Sequence, residues 1–157
     1  PYVHGNGTIA VMVQLESDIA ADNEELLACG KDIALQVAAM NASYLNREVV
    51  PASALEEEKK ILLAQMAEDP KMANKPEQVR IKIVEGKIGK FYSENCLLEQ
   101  EFVKDGDLTV QKYIDGVAKK LGGSIKVAGY VRYEKGEGLQ KKEDNFAEEV
   151  KNMAGTN

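Results

Sequence analysis

The sequence has no tryptophan, a single histidine (His4) and two cysteines, Cys29 and Cys96, in 157 residues. These shortages remove most routes to covalent catalysis. The cysteines form neither a CxxC pair nor, with His4, the spacing of a metal site, and they read as reduced, buried, small apolar side chains. The one enzymatic arrangement left is His4 beside Cys29 or Cys96 as a Cys–His pair. A helical apolar position for Cys29 and an apolar flank for Cys96 both argue for burial instead. No catalytic residue, metal or cofactor is expected. No apolar run approaches the roughly 20 residues of a membrane span, and the N-terminus lacks the basic, apolar, small-residue order of a secretion signal, so no membrane contact and a cytoplasmic location are expected. Positive charge is also short. Twenty Lys+Arg against 26 Asp+Glu leave a formal charge of −6, which argues against direct nucleic-acid binding, where a basic face must release counterions.

What is present is ordinary globular material: 44% apolar and 29% charged residues, enough for one domain that buries roughly two-thirds of its unfolded surface. The opening reads as a β-hairpin. Residues 2–4 form a first strand, Gly5-Asn6-Gly7 supplies a turn that tolerates positive φ, and residues 8–15 form a second strand with Ile9, Val11 and Val13 on one face. The period then changes. Asp22 or Asn23 can cap a helix whose Leu26, Cys29, Ile33, Val37 and Met40 recur at spacings of three and four, ending near residue 42.

Residues 52–95 predict two helices. Ala52, Leu55, Leu62 and Met66 keep heptad-like spacing up to Asp69-Pro70, and Ile81, Val84, Ile88 and Phe91 continue after Pro76. Residues 52–69 carry a net −3 and residues 75–94 a net +2. Opposite signs on helices joined by a short turn predict an antiparallel hairpin in which the charged flanks face each other and set the register. Beyond it, residues 101–103 read as a short extended piece, Asp105-Gly106-Asp107 as a turn, and Thr109 as the cap of a twelve-residue helix closed by Gly122-Gly123. Residues 125–133 then alternate Ile125, Val127, Gly129, Val131 and Tyr133 along one face of a strand that Gly136-Glu137-Gly138 breaks. Phe146, Val150 and Met153 are spaced for a short docking helix. The expected class is α+β: a three-stranded antiparallel sheet covered by helices on one face, with a projecting antiparallel helical hairpin.

Four segments in this order resemble the dimerisation domain of bacterial elongation factor Ts: Tyr2-Val3-His4-Gly5-Asn6-Gly7-Thr8-Ile9-Ala10-Val11-Met12-Val13, Lys31-Asp32-Ile33-Ala34-Leu35-Gln36-Val37-Ala38-Ala39-Met40, Lys82-Ile83-Val84-Glu85-Gly86-Lys87 and Arg132-Tyr133-Glu134-Lys135-Gly136-Glu137-Gly138. The similarity runs from Tyr2 to about Val150. It implies a factor that binds the GDP-bound GTPase elongation factor Tu, loosens its Mg²⁺ and phosphate-binding region, and lets GTP replace GDP. It implies a dimerisation-type domain over residues 1–141, with the helical hairpin (about 52–95) as an insertion, and a short C-terminal helix or tail over 142–157.

The resemblance also implies site residues. The hairpin bearing the motif histidine lies at the partner interface in the family, so Tyr2, His4, Gly5, Asn6 and Gly7, with Gly136, Glu137 and Gly138, are candidate contacts. Phe146 and Val150 resemble the family's C-terminal module, which reaches the GTPase domain. Leu62, Met66, Ile81, Val84 and Ile88 fall in the family's coiled-coil protrusion, implicated in self-association, so a homodimer is the further partner expected. There are departures. The family's Thr-Asp-Phe-Val-Ala motif, whose Asp and Phe push against the GTPase, has as its nearest string Ser17-Asp18-Ile19-Ala20-Ala21, without the Phe. Thr8 and Ala10 replace a basic residue and a glycine of the hairpin motif. The chain is expected to be the second, degenerate copy of a unit that longer members contain twice, a fragment that binds but exchanges poorly.

Overall fold

A computed structural model gives the fold and describes residues 1–137. Gly138, Phe146, Val150 and the expected C-terminal helix lie outside the described residues. The order is β1 (Tyr2–His4), β2 (Ile9–Ser17), α1 (Glu24–Met40), α2 (Ala52–Glu68), α3 (Pro70–Ala73), α4 (Glu77–Asn95), β3 (Glu101–Phe102), β4 (Asp105–Thr109), α5 (Val110–Leu121) and β5 (Ile125–Glu134).

β1, β2 and β5 form an antiparallel sheet in that order, covered on one face by α1 and α5. At the β1–β2 turn Gly5, Asn6 and Gly7 take φ of 60°, 55° and 87°. Three left-handed residues in succession are tolerable only with two glycines and an asparagine. α1 begins where the sequence indicates: the Asn23 side chain accepts from the Glu25 and Leu26 amides at 3.0 and 3.1 Å, and Glu24 and Glu25 complement the helix dipole. Leu26, Cys29, Ile33 and Val37 are buried on the sheet, while Met40 is exposed. Thr109 Oγ1 accepts from the Lys112 amide at 3.2 Å and opens α5, whose Val110 and Ile114 complete the core.

Two readings of the strands need correction. Residues 101–109 are not an isolated extended piece and turn but a second, two-stranded sheet of β3 and β4. The expected single face of β5 is also broken. Gln14 pairs with Gly129, yet Leu15 pairs with Val127, so Ala128 is an extra residue. A bulge of one residue reverses which side chains face the core. Ile125 and Val127 are therefore buried, whereas Val131 and Tyr133 point outward, 44% and 67% exposed.

α2 and α4 form the antiparallel hairpin, with the single turn α3 at its tip capped by Asp69, whose Oδ1 accepts from the Lys71 amide at 2.9 Å. Leu62, Met66, Val84 and Ile88 make its seam, flanked by Leu55, Met72, Ile83 and Tyr92. The charged flanks do not set the register. Among the described residues no ion pair joins α2 to α4, and the hairpin's one ion pair, Lys90–Glu94 at 3.7 Å, lies within α4. Exposed long side chains gain too little from pairing in water to dictate packing that an apolar seam already fixes.

Two fully buried glutamines pin the body. Gln36 Nε2 donates to Gln100 Oε1 (3.2 Å) and the Glu101 carbonyl (3.0 Å), its Oε1 accepts from the Val103 amide (2.8 Å), and Gln100 Nε2 donates to the Glu94 carbonyl (2.8 Å). Each satisfied amide ties α1 to the chain leaving α4, and either would be costly to leave unpaired.

Candidate partner-binding surface

Antiparallel pairing brings distant motif residues to one end of the sheet. His4 lies opposite Ile9, and Ile9 opposite Glu134. The Lys135 amide donates to the Thr8 carbonyl at 2.7 Å, so the Gly5–Thr8 turn and the turn after β5 sit side by side. Thr8 closes its own turn, with its hydroxyl and its amide both donating to the Gly5 carbonyl at 2.8 and 3.2 Å. Gly136 takes a φ of 91°, and the Glu137 carboxylate accepts from the Glu134 amide at 3.1 Å. His4, Gly5, Asn6, Gly7, Gly136 and Glu137 are thus adjacent and exposed, with Tyr2 half-buried beneath them.

The imidazole is oriented. Tyr2 and His4 rings stack at 6.0 Å between centroids, and the Tyr2 hydroxyl meets His4 Nδ1 at 2.9 Å. The Tyr2 hydroxyl and His4 Nδ1 share this one hydrogen bond, which leaves Nε2 as the ring nitrogen not used by it. Arg132 and Glu134, paired at 3.1 Å, belong to the same end. Both lie in the 132–138 segment that carries the resemblance, and the β2–β5 register places them beside the turn.

The other end of the sheet is tied inward. Asp18 Oδ1 accepts from the Ser124 amide at 2.7 Å, Ser17 Oγ donates to the Ser124 carbonyl at 2.6 Å, and Ile19 packs on the core. A Cβ on Gly123 would lie 2.5 Å from Asp18 Oδ1, so glycine is what lets these loops meet. An apolar cleft of about 410 Å³ opens nearby between β2 and α1, lined by Val13, Leu15, Leu26 and Leu27 among others.

A family profile described as "Elongation factor TS" matches residues 1–137. The chain belongs to the elongation factor Ts family. It is 48% identical over 151 residues to "Elongation factor Ts" of Acetivibrio thermocellus, covering 95% of this chain and 68% of that protein. The protein of the same name from Desulforamulus reducens gives the same identity and coverage, and that from Clostridium kluyveri is 45% identical over 150 residues, 96% of this chain but 47% of that protein. The chain thus spans about two thirds of some relatives and about half of others.

Within this family fold the thiols are core side chains. Cys29 and Cys96 are fully buried, burial raises both pKa values, and Cys29 reaches about 11. A thiol held protonated is a poor nucleophile. The residues expected to self-associate divide differently: Leu62, Met66, Val84 and Ile88 are occupied in the chain's own seam, and only Ile81, 48% exposed, is displayed. The outer sheet face is also an apolar display among the described residues, with Val3, Met12, Val131 and Tyr133 all exposed.

Proposed function

We propose that this chain is the partner-binding part of a nucleotide exchange factor. It binds elongation factor Tu in the cytoplasm and, within a longer protein, promotes GDP release and GTP entry by binding alone. The observation that supports this reading is the convergence of Tyr2, His4, the Gly5-Asn6-Gly7 turn, Gly136 and Glu137 on one exposed end of the sheet. Exchange needs no covalent step, because a partner that prefers the nucleotide-free GTPase must weaken GDP by the same factor. At the string nearest the family's acidic–aromatic pair, Asp18 is tied to Ser124 and Ile19 packs inward, which supports a chain that binds its partner but releases GDP slowly.

Calorimetric titration of the chain into elongation factor Tu with GDP, at tens of micromolar, tests the first statement. Binding weakened about tenfold by His4→Ala, roughly 1.4 kcal/mol, is expected; absence of any association overturns it. Release of a fluorescent GDP at the rate produced by a full-length family member would overturn the second.

A homodimer is the second reading, and the exposed outer sheet face favours it over the helical hairpin as the self-association surface. Val3, Ala10 and Tyr133 form one cross-strand row and Met12 and Val131 the next. Sedimentation at several concentrations would show a dimer that Tyr133→Lys abolishes; a monomer throughout would reject it.

A further inference from the structure

The sheet body and the helical hairpin have separate cores. Ile33, Leu97, Val110 and Ile114 belong to one cluster, and Leu62, Met66, Val84 and Ile88 to another, with no buried residue in common. No shared apolar core fixes the angle at which the hairpin leaves the body. The two legs meet at a narrow collar, where Tyr44 and Cys96 form a single parallel bridge. The Tyr44 amide donates to the Asn95 carbonyl (3.0 Å), the Leu97 amide to the Tyr44 carbonyl (2.8 Å) and the Leu98 amide to the Leu45 carbonyl (3.1 Å). This ladder, with the buried bond from Gln100 Nε2 to the Glu94 carbonyl (2.8 Å), holds the collar through a few neutral hydrogen bonds.

Arg47 adds a charged attachment on the solvent side of the collar. It stands on the 3-10 turn Arg47–Val49, itself capped by Asn46, whose Oδ1 accepts from the Val49 amide at 3.2 Å. Its guanidinium donates through both Nε, at 3.1 Å, and Nη2 to the Glu99 carboxylate, in the turn that leads into the body. The same guanidinium lies over the ring of Tyr92, 4.6 Å from its centroid, and Tyr92 packs on the hairpin seam from the last turn of α4. A forked ion pair and a stacked cation together demand arginine; lysine has neither the planar fork nor the face. The side chain is 58% exposed, so burial does not explain it.

We propose that Arg47 is a positioning residue that sets the direction of the helical hairpin relative to the sheet body, by locking Glu99 on the body to Tyr92 on the hairpin. A 17-residue α2 is about 25 Å long, so a tilt of about 10° at the collar carries the tip on the order of 4 Å. In the exchange-factor reading above, on which the functional consequence rests, that displacement decides whether the hairpin and the His4 end reach one partner together.

The test is a distance distribution between spin labels on Lys71→Cys at the tip and Lys126→Cys on β5, both exposed positions. The native cysteines are fully buried and stay unlabelled in the folded chain. The Arg47 parent should give one narrow distance. Arg47→Gln should broaden or displace it by on the order of 4 Å, with the melting of the body unchanged. Should Arg47→Gln fail to fold, Glu99→Gln keeps the stack and removes the charged fork, and the same broadening is expected. An unchanged distribution in a folded variant overturns the proposal. The measurement is made without elongation factor Tu, so its failure is distinct from a failure of partner binding, which the parent chain reports by calorimetry.

Discussion

The sheet body and the helical hairpin bury their apolar side chains differently. In the body Ile33, Val37, Leu97, Val110 and Ile114 are at most 1% exposed, and two buried glutamines are hydrogen-bonded through both oxygen and nitrogen. In the hairpin the seam residues are 3–8% exposed, and Ile61, Leu63, Val79 and Ile81 are left in water. A sheet sandwiched against two helices encloses volume, whereas two helices in contact enclose only a line. The body therefore holds the fold, and the hairpin depends on its seam and its collar.

The strongest way to break the comparison is Ile33→Ala. Its side chain is surrounded by β2, α1 and α5, so the cavity should cost about 4 kcal/mol and lower the urea midpoint for the whole chain. Leu62→Ala should cost about 2 kcal/mol at the low end of core truncations, because one side of the seam relaxes into solvent. Hydrogen exchange should then show α2 and α4 losing protection while α1 and β2 keep theirs. If both regions lost protection equally, they would be one cooperative unit.

Alkaline pH should separate the regions with a comparable effect. Burial raises the Cys29 thiol from 9.0 to about 11, so the folded body binds more protons than the unfolded chain in that interval. Its stabilising contribution is complete below pH 9 and is lost as pH rises through about 11, on the order of 2 kcal/mol. Tyr113, partly buried and donating to Asp32 at 2.7 Å, is shifted in the same direction by desolvation first. The hairpin's four seam residues do not titrate. Thermal melts from pH 8 to 11 should fall steeply, and Cys29→Ala should flatten the slope. The smallest effect is expected of Lys90→Ala, which removes an exposed i,i+4 pair with Glu94 and should change stability by a few tenths of a kcal/mol. A larger loss would return to the hairpin charges a role that the structure gives to the seam.

The candidate site was half legible before folding. Tyr2, His4 and the Gly5–Gly7 turn are neighbours in the chain, so their grouping is local information. That Gly136 and Glu137 join them, and that Arg132 and Glu134 come with them, depends on β2 pairing with β5 across more than a hundred residues. The collar was not legible at all, since Arg47, Tyr92 and Glu99 carry no shared pattern.

By itself the sequence determined what short-range physics can decide: the Asn23 and Thr109 caps, the left-handed turn at Gly5-Asn6-Gly7, the breaks at Asp69-Pro70 and Gly122-Gly123, and the burial of Cys29 on an apolar helix face. Only the tertiary structure decided the bulge at Ala128 that turns Val131 and Tyr133 outward, the pairing of β3 with β4, the seam that leaves Ile81 exposed, and the arginine that joins two separate cores. Capping and helical periodicity act within a few residues and are written there. Register, face and crossing angle are set by contacts between segments far apart in the chain, and those energies exist only once the segments have met.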